Sequence, residues 1–185
     1  LEAPVSEQSQ LQIMLDLETL GTSERAVILS IGACMFYEEG SGIHGEPFEV
    51  HVDPNSCVDA GLVMDASTVM WWMRDERDAA RKVLMGHPRV ALSDALNRFS
   101  AWMGTDKPVW GNGATFDNVI LRNAYAAAGK PAPWSYWNDR CYRTMKARTP
   151  LAMQRKGVHH SAMWDAISQA EHLQQIIHTL TTTGE

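Results

Sequence analysis

Long hydrophobic runs are missing from this 185-residue sequence. No stretch approaches the roughly 18 consecutive apolar residues that a membrane helix needs, so no membrane partner is expected. A basic excess is missing too. Lys and Arg number 16 against 22 Asp and Glu, a formal net charge of −6, which argues against a broad, nonspecific polyanion binder. It leaves room for acids that hold cations. Cysteine is scarce: Cys34, Cys57 and Cys141 cannot all pair within the chain, and none stands in a CxxC or Cys/His zinc spacing. Free thiols in a reducing, cytoplasmic setting are expected. Residues 1–10 lack the apolar centre of a secretory signal and read as a flexible tail. Repeats and low-complexity tracts are absent, and no GxGxxG follows the first apolar segment, which excludes a dinucleotide-binding start.

What remains is an ordinary folded composition, 45% hydrophobic and 21% charged, of a length that fits one domain. We place that domain at residues 11–180, with a short tail over 181–185. Gln12 to Leu17, Val27 to Tyr37 and Pro47 to Val52 read as three strands joined by short turns, an antiparallel meander. Helical patterns follow. One is capped by Asp65 or Ser67 and runs to Met73, with helix formers continuing from Arg74 to Leu84; another is capped by Ser93. Val109-Trp110 reads as a core strand. Helices are expected at Phe116 to Ala128, Arg140 to Ala147 and His160 to Leu180, the last burying Ala166, Ala170, Leu173 and Ile177. This order predicts an α/β fold, a mixed β-sheet flanked by helices.

Acidic residues carry the chemistry. Asp16 and Glu18 stand two apart at the end of the first strand and share a face. Such a pair either faces water or shares a cation, because like charges this close repel. Asp117 opens a helix after the Gly-containing loop Gly111 to Phe116. The macrodipole alone favours an Asp there, yet the two glycines also permit a close backbone approach. His160 and Asp165 are five residues apart, about 500° of helical rotation. They converge only if His160 lies in the loop or first turn and Asp165 faces inward. Four carboxylates and a His suit a two-metal centre for in-line phosphodiester displacement. Hard oxygen donors select Mg²⁺ or Mn²⁺, two ions per site. A neutral His can take a proton from the attacking water near neutral pH.

These residues resemble the DEDDh 3′→5′ exonucleases of the RNase H-like superfamily, whose pattern is Asp-x-Glu-Thr, a central Asp, and His-x-Ala-x-x-Asp. Here it stands as Asp16-Leu17-Glu18-Thr19, Asp117 and His160-Ser161-Ala162-Met163-Trp164-Asp165. Thr68 to Met73, Trp110 to Asp117 and Arg143-Thr144 resemble segments of the phage- and prophage-associated branch with an Rv2179c-like domain, and the resemblance spans about residues 12 to 178. It implies an RNase H-like (DnaQ-like exonuclease) fold, with Asp16, Glu18, Asp117 and Asp165 as metal ligands and His160 as general base. His159 is the competitor for that role. Met163-Trp164 departs from a stretch that is often more polar in relatives. The implied substrate is single-stranded nucleic acid with a free 3′ end, DNA favoured on the phage likeness, releasing nucleoside 5′-monophosphates. Thr19, Leu20, Gly21, Asn112, Phe116 and Arg143 are the implied substrate contacts, Leu20 as a wedge against the terminal base. An exoribonuclease, a short-oligonucleotide phosphodiesterase and a noncatalytic binding module are the alternatives.

Other residues carry weaker signals. Trp71 and Trp72 are adjacent and face differently on one helix; either both belong to the core, or one does and the other stacks a base. Trp134, Tyr136 and Trp137 suit stacking and loop packing equally. Arg140, Arg143 and Lys146 at helical spacing, with Arg148, Arg155 and Lys156, form a basic region that either meets phosphates or is simply solvated. A homodimer through exposed helix faces is expected.

Overall fold

The computed structural model describes residues 10–182, so most of the predicted N-terminal tail and residues 183–185 lie outside it. Strands β1 (Leu11–Thr19), β2 (Ile28–Tyr37) and β3 (His44–Val52) form the expected antiparallel meander. Ile13, Met14 and Leu15 are all fully buried. Burial on both faces explains why this strand reads as an unbroken apolar run and not as an alternation. Three short strands complete the sheet: β4 (Arg89–Val90), β5 (Val109–Gly111) and β6 (Asp139–Cys141). The order is β4-β3-β2-β1-β5-β6, with β4, β5 and β6 each parallel to their earlier neighbour. The sheet is therefore mixed, as expected.

Seven α-helices are described: α1 (Pro54–Asp59), α2 (Ala66–Trp72), α3 (Asp78–Met85), α4 (Leu92–Met103), α5 (Asp117–Ala127), α6 (Tyr142–Lys146) and α7 (Ala162–Thr182). One face of the sheet packs Ile13, Leu15 and Ile31 against Leu96, Phe99, Leu121 and Tyr125 of α4 and α5. The other packs Met14, Cys34 and Phe36 against Tyr142 and against Ala166, Ala170, Leu173 and Ile176 of α7. Gly32 of β2 permits this second layer. A Cβ there would stand 2.1 Å from the Ala162 carbonyl carbon and from the Met163 nitrogen. Only a residue without a side chain lets the start of α7 rest on the strand. None of the described helices is long and apolar enough to cross a membrane.

Several boundaries differ from expectation. The Arg74 to Leu84 segment is broken: a 3₁₀ turn at Asp75–Arg77 separates α2 from α3. Asp65, not Ser67, caps α2, its Oδ1 accepting from the Ser67 N–H at 2.9 Å. Ser93 lies inside α4, whose capping position is Ala91. Arg140 is not helical, because pairing with Trp110 draws it into β6 and the helix starts only at Tyr142. His160 precedes α7 by two residues, and that helix continues to Thr182, into the segment assigned to a tail.

Candidate active site

β1 brings Asp16 and Glu18 out beneath the first turns of α7, on the same sheet face as Met14. Asp165, in the first turn of α7, is 6% exposed and comes down to meet them. Ligand oxygens of Asp16, Glu18 and Asp165 all lie within 4.8 Å of one another. Asp117 joins from the start of α5. Its Oδ1 accepts from the Leu17 N–H at 3.2 Å and its Oδ2 from the Asn112 N–H at 3.0 Å. The central carboxylate is thereby clamped between β1 and the loop after β5. Gly113 in that loop has φ +109°, and the Arg143 guanidinium lies 3.2 Å from where a Cβ would stand.

His160 sits at φ +64°, a left-handed conformation uncommon outside glycine. That turn aims its N–H at Asp165 Oδ2, 3.0 Å away, and leaves the ring free of the helix. The ring stacks on His159 at 3.8 Å and meets Trp71 edge-on at 5.0 Å. The five-residue spacing thus closes through the loop, not along a helix face. Its Nε2 is buried and has no hydrogen-bond partner.

Electrostatics follow from crowding and burial. Asp16 has its carboxyl pushed well above the usual range by burial first, then by Asp117, Glu18 and Asp165, with the Gln169 hydrogen bond opposing. Glu18 is raised by burial and by Asp165 and Asp117, against the Arg77 charge. Burial lifts Asp117 to about 7 even though the backbone N–H groups of Leu17, Asn112 and Asp117 itself, and the Arg143 charge, favour its charged form. Asp165 is raised by burial, opposed by the His160 N–H. His160 goes the other way, down to about 4, through burial and then the charges of His159, Arg77 and Arg155. It is neutral at pH 7. Four crowded oxygen donors that resist ionisation without a counterion fit a hard divalent cation.

The cleft over these residues measures about 570 Å³. Thr19, Gly21, Asn112, Phe116 and Arg143 line it, as do Trp71, Lys146 and Arg155. Leu20 does not. It packs against the core beside Trp72, while its backbone bonds Val27 and Asp65. Trp72 is buried and donates to the Thr19 carbonyl at 2.8 Å; both indoles line the cleft, Trp71 as the less buried of the two. Trp134 is core, whereas Tyr136 and Trp137 are exposed, and neither of those two lines the cleft. Arg140 is also outside it. Arg155 is closer to the acids than expected, its Nη1 donating to Asp165 Oδ1 at 3.0 Å. Gln169 went unnoticed in the sequence. Its Nε2 donates to Asp16 Oδ1 at 2.8 Å, and the signal was available: it stands four residues after Asp165, on the same helix face.

The fold is RNase H-like. Over 94% of this chain it superposes on E. coli Exonuclease I in complex with a dA16 oligonucleotide, at TM-score 0.63 and 15% identity. This chain spans 43% of that protein's length. The nuclease domain of 3′hExo, a DEDDh family member bound to rAMP, superposes over 96% of this chain and 95% of its own, at TM-score 0.61 and 13% identity. Cell-death related nuclease 4 follows at TM-score 0.53 and 13% identity, over 92% of this chain and 64% of its own. No curated protein sequence matches the chain. The family described as the 3′-5′ exoribonuclease Rv2179c-like domain matches residues 11–177. The chain belongs to this family, and with it to the 3′-5′ exonucleases.

Proposed function

We propose that the chain removes nucleotides one at a time from the 3′ end of single-stranded RNA, releasing nucleoside 5′-monophosphates. The observation that carries this reading is the convergence of Asp16, Glu18, Asp117 and Asp165 with His160 around one cleft. The family description favours RNA over the DNA suggested by a phage likeness, for which no residue in the cleft speaks. Asp16, Glu18, Asp117 and Asp165 would hold two Mg²⁺ or Mn²⁺ ions. When bound, such ions stabilise the attacking and leaving oxygens of the phosphodiester.

The chain's own groups do the rest. His160 is neutral at working pH and projects free of α7, so it takes the proton of the attacking water. The hydrogen bond from its backbone to Asp165 fixes the ring relative to the acids. Gln169 orients Asp16. Arg143, next to the Asn112 carbonyl, and Lys146 supply positive charge to the substrate's phosphates at the cleft mouth. The backbone of Thr19 and Gly21 receives the terminal nucleotide, and Trp71 stacks a base.

End-labelled single-stranded RNA and DNA, incubated with Mg²⁺ or Mn²⁺, test this. A 3′-end ladder is expected, faster on RNA and abolished by EDTA and by Asp117→Asn. His160→Ala should lower the rate by about 10²–10⁴ while the protein keeps its melting temperature. Persistent digestion by Asp117→Asn rejects the site, and equal rates on both substrates reject the RNA assignment.

A further inference from the structure

Three more ligating side chains meet on the same sheet face, away from the acid cluster. Glu49 and His51 stand two apart on β3 and point the same way. His87 lies between α3 and β4. One ligand atom from each, an oxygen of Glu49 and a ring nitrogen of His51 and of His87, lies within 4.8 Å of the other two. His51 is 4% exposed, yet neither of its ring nitrogens has a hydrogen-bond partner. Glu49 Oε1 is also buried and accepts no well-formed hydrogen bond; it meets His51 Nε2 only as a loose charge contact at 3.7 Å. Buried polar atoms are rarely left unsatisfied. An orphaned imidazole facing an orphaned carboxylate oxygen calls for a group that completes both.

We propose that Glu49, His51 and His87 form a second metal site, distinct from the acid cluster, that takes a transition-metal cation, with Zn²⁺ favoured. Two imidazole nitrogens and one carboxylate oxygen are the donors of a borderline-soft ion. Mg²⁺ prefers an all-oxygen shell. Three protein donors leave a fourth tetrahedral position for water. The His51 ring beside Glu49 holds its carboxyl below the usual range, with burial opposing, so the oxygen offered is charged. His51 and His87 stack at 4.5 Å and 6°, which sets their lone pairs side by side and not at one point. His87 is exposed and turns to close on the ion, whereas His51 is held by the sheet.

The strand register ties this site to the catalytic one. Ser30 pairs with both Glu18 and His51, and Gly32 with both Asp16 and Glu49. The two clusters therefore stand two strands apart on one face, roughly 10 Å. The Ser161 hydroxyl, on the residue after His160, reaches Glu49. A cation held by Glu49 steadies the segment that presents His160.

The test uses the full chain carrying Asp165→Asn, because Asp165 belongs to both other ligand clusters and its loss weakens them, while excess Mg²⁺ occupies the remaining carboxylates. The metal-stripped protein is titrated with Zn²⁺ in excess Mg²⁺, and in parallel with Co²⁺ followed by visible absorption. One equivalent of Zn²⁺ and a tetrahedral Co²⁺ spectrum are expected. Adding His87→Ala should weaken binding at least tenfold and leave metal-free melting unchanged, since that side chain is exposed. Absence of Zn²⁺ binding by the Asp165→Asn protein, or equal affinity with His87→Ala, overturns the proposal. Neither result bears on the exonuclease reading, which rests on other residues.

Discussion

Asp117→Asn offers a sharp measure of the strain stored in the acid cluster. An unfolded Asp is ionised throughout the range from pH 5 to pH 8. Folded Asp117, raised by burial to about 7, is protonated at the lower end and charged at the upper. The folded state therefore binds more protons than the unfolded state across this window, and stability falls as pH rises. Two units of the window lie below the folded value. At about 1.4 kcal/mol per unit, the wild type loses about 2–3 kcal/mol through this one group. Asn cannot ionise and does not share the loss. It offers one oxygen where Asp offers two, so either the Leu17 or the Asn112 N–H loses its acceptor. That costs about 1–3 kcal/mol at every pH and cancels when the pH dependence is compared. The lowered histidines act in both proteins and cancel as well. Urea unfolding of both proteins in EDTA should thus show their stability difference moving by about 2–3 kcal/mol toward the variant between pH 5 and pH 8. In melting temperature this is roughly 5–10 °C for a domain of this size. Parallel pH profiles for the two proteins would refute the argument that Asp117 ionises against the cost of burial.

Two further outcomes are expected. Gly32→Ala places a methyl group against the backbone of Ala162 and Met163. It should lower stability by about 1–3 kcal/mol or more and reduce exonuclease rate although every acid is intact; an unchanged melt and rate would mean that α7 is not seated there. Arg143→Ala combined with Lys146→Ala should raise KM several-fold at low salt, an effect that shrinks as salt screens the phosphates, and a salt-independent KM would remove both from the substrate path.

Periodic and chemically marked segments were legible in the sequence, and cooperative ones were not. β1 to β3 stand out because burial on one or both faces writes a continuous or alternating apolar pattern. Strands β4 and β6 do not, since two or three residues carry no period. They become strands only when a neighbour supplies the hydrogen bonds, which is how Arg140 left its expected helix. The acids could be found by type and spacing, and the structure gathers them. The contacts that hold them could not. The Asp117 clamp depends on backbone N–H groups of Leu17 and Asn112, which every sequence possesses. The need for Gly32 arises only from a helix 130 residues later. Leu20 packs against the core because an apolar side chain there suits the core as well as it suits a base.

The placement of Asp165 and Gln169 on α7 has a temporal consequence. Three of the four acids are already present once α5 has been made, and the fourth comes only with α7. A chain emerging from the ribosome must wait for its final long helix to settle on Gly32 before the last carboxylate arrives. Assembly of the acid cluster is thereby coupled to completed folding, and a product lacking that helix lacks its fourth carboxylate.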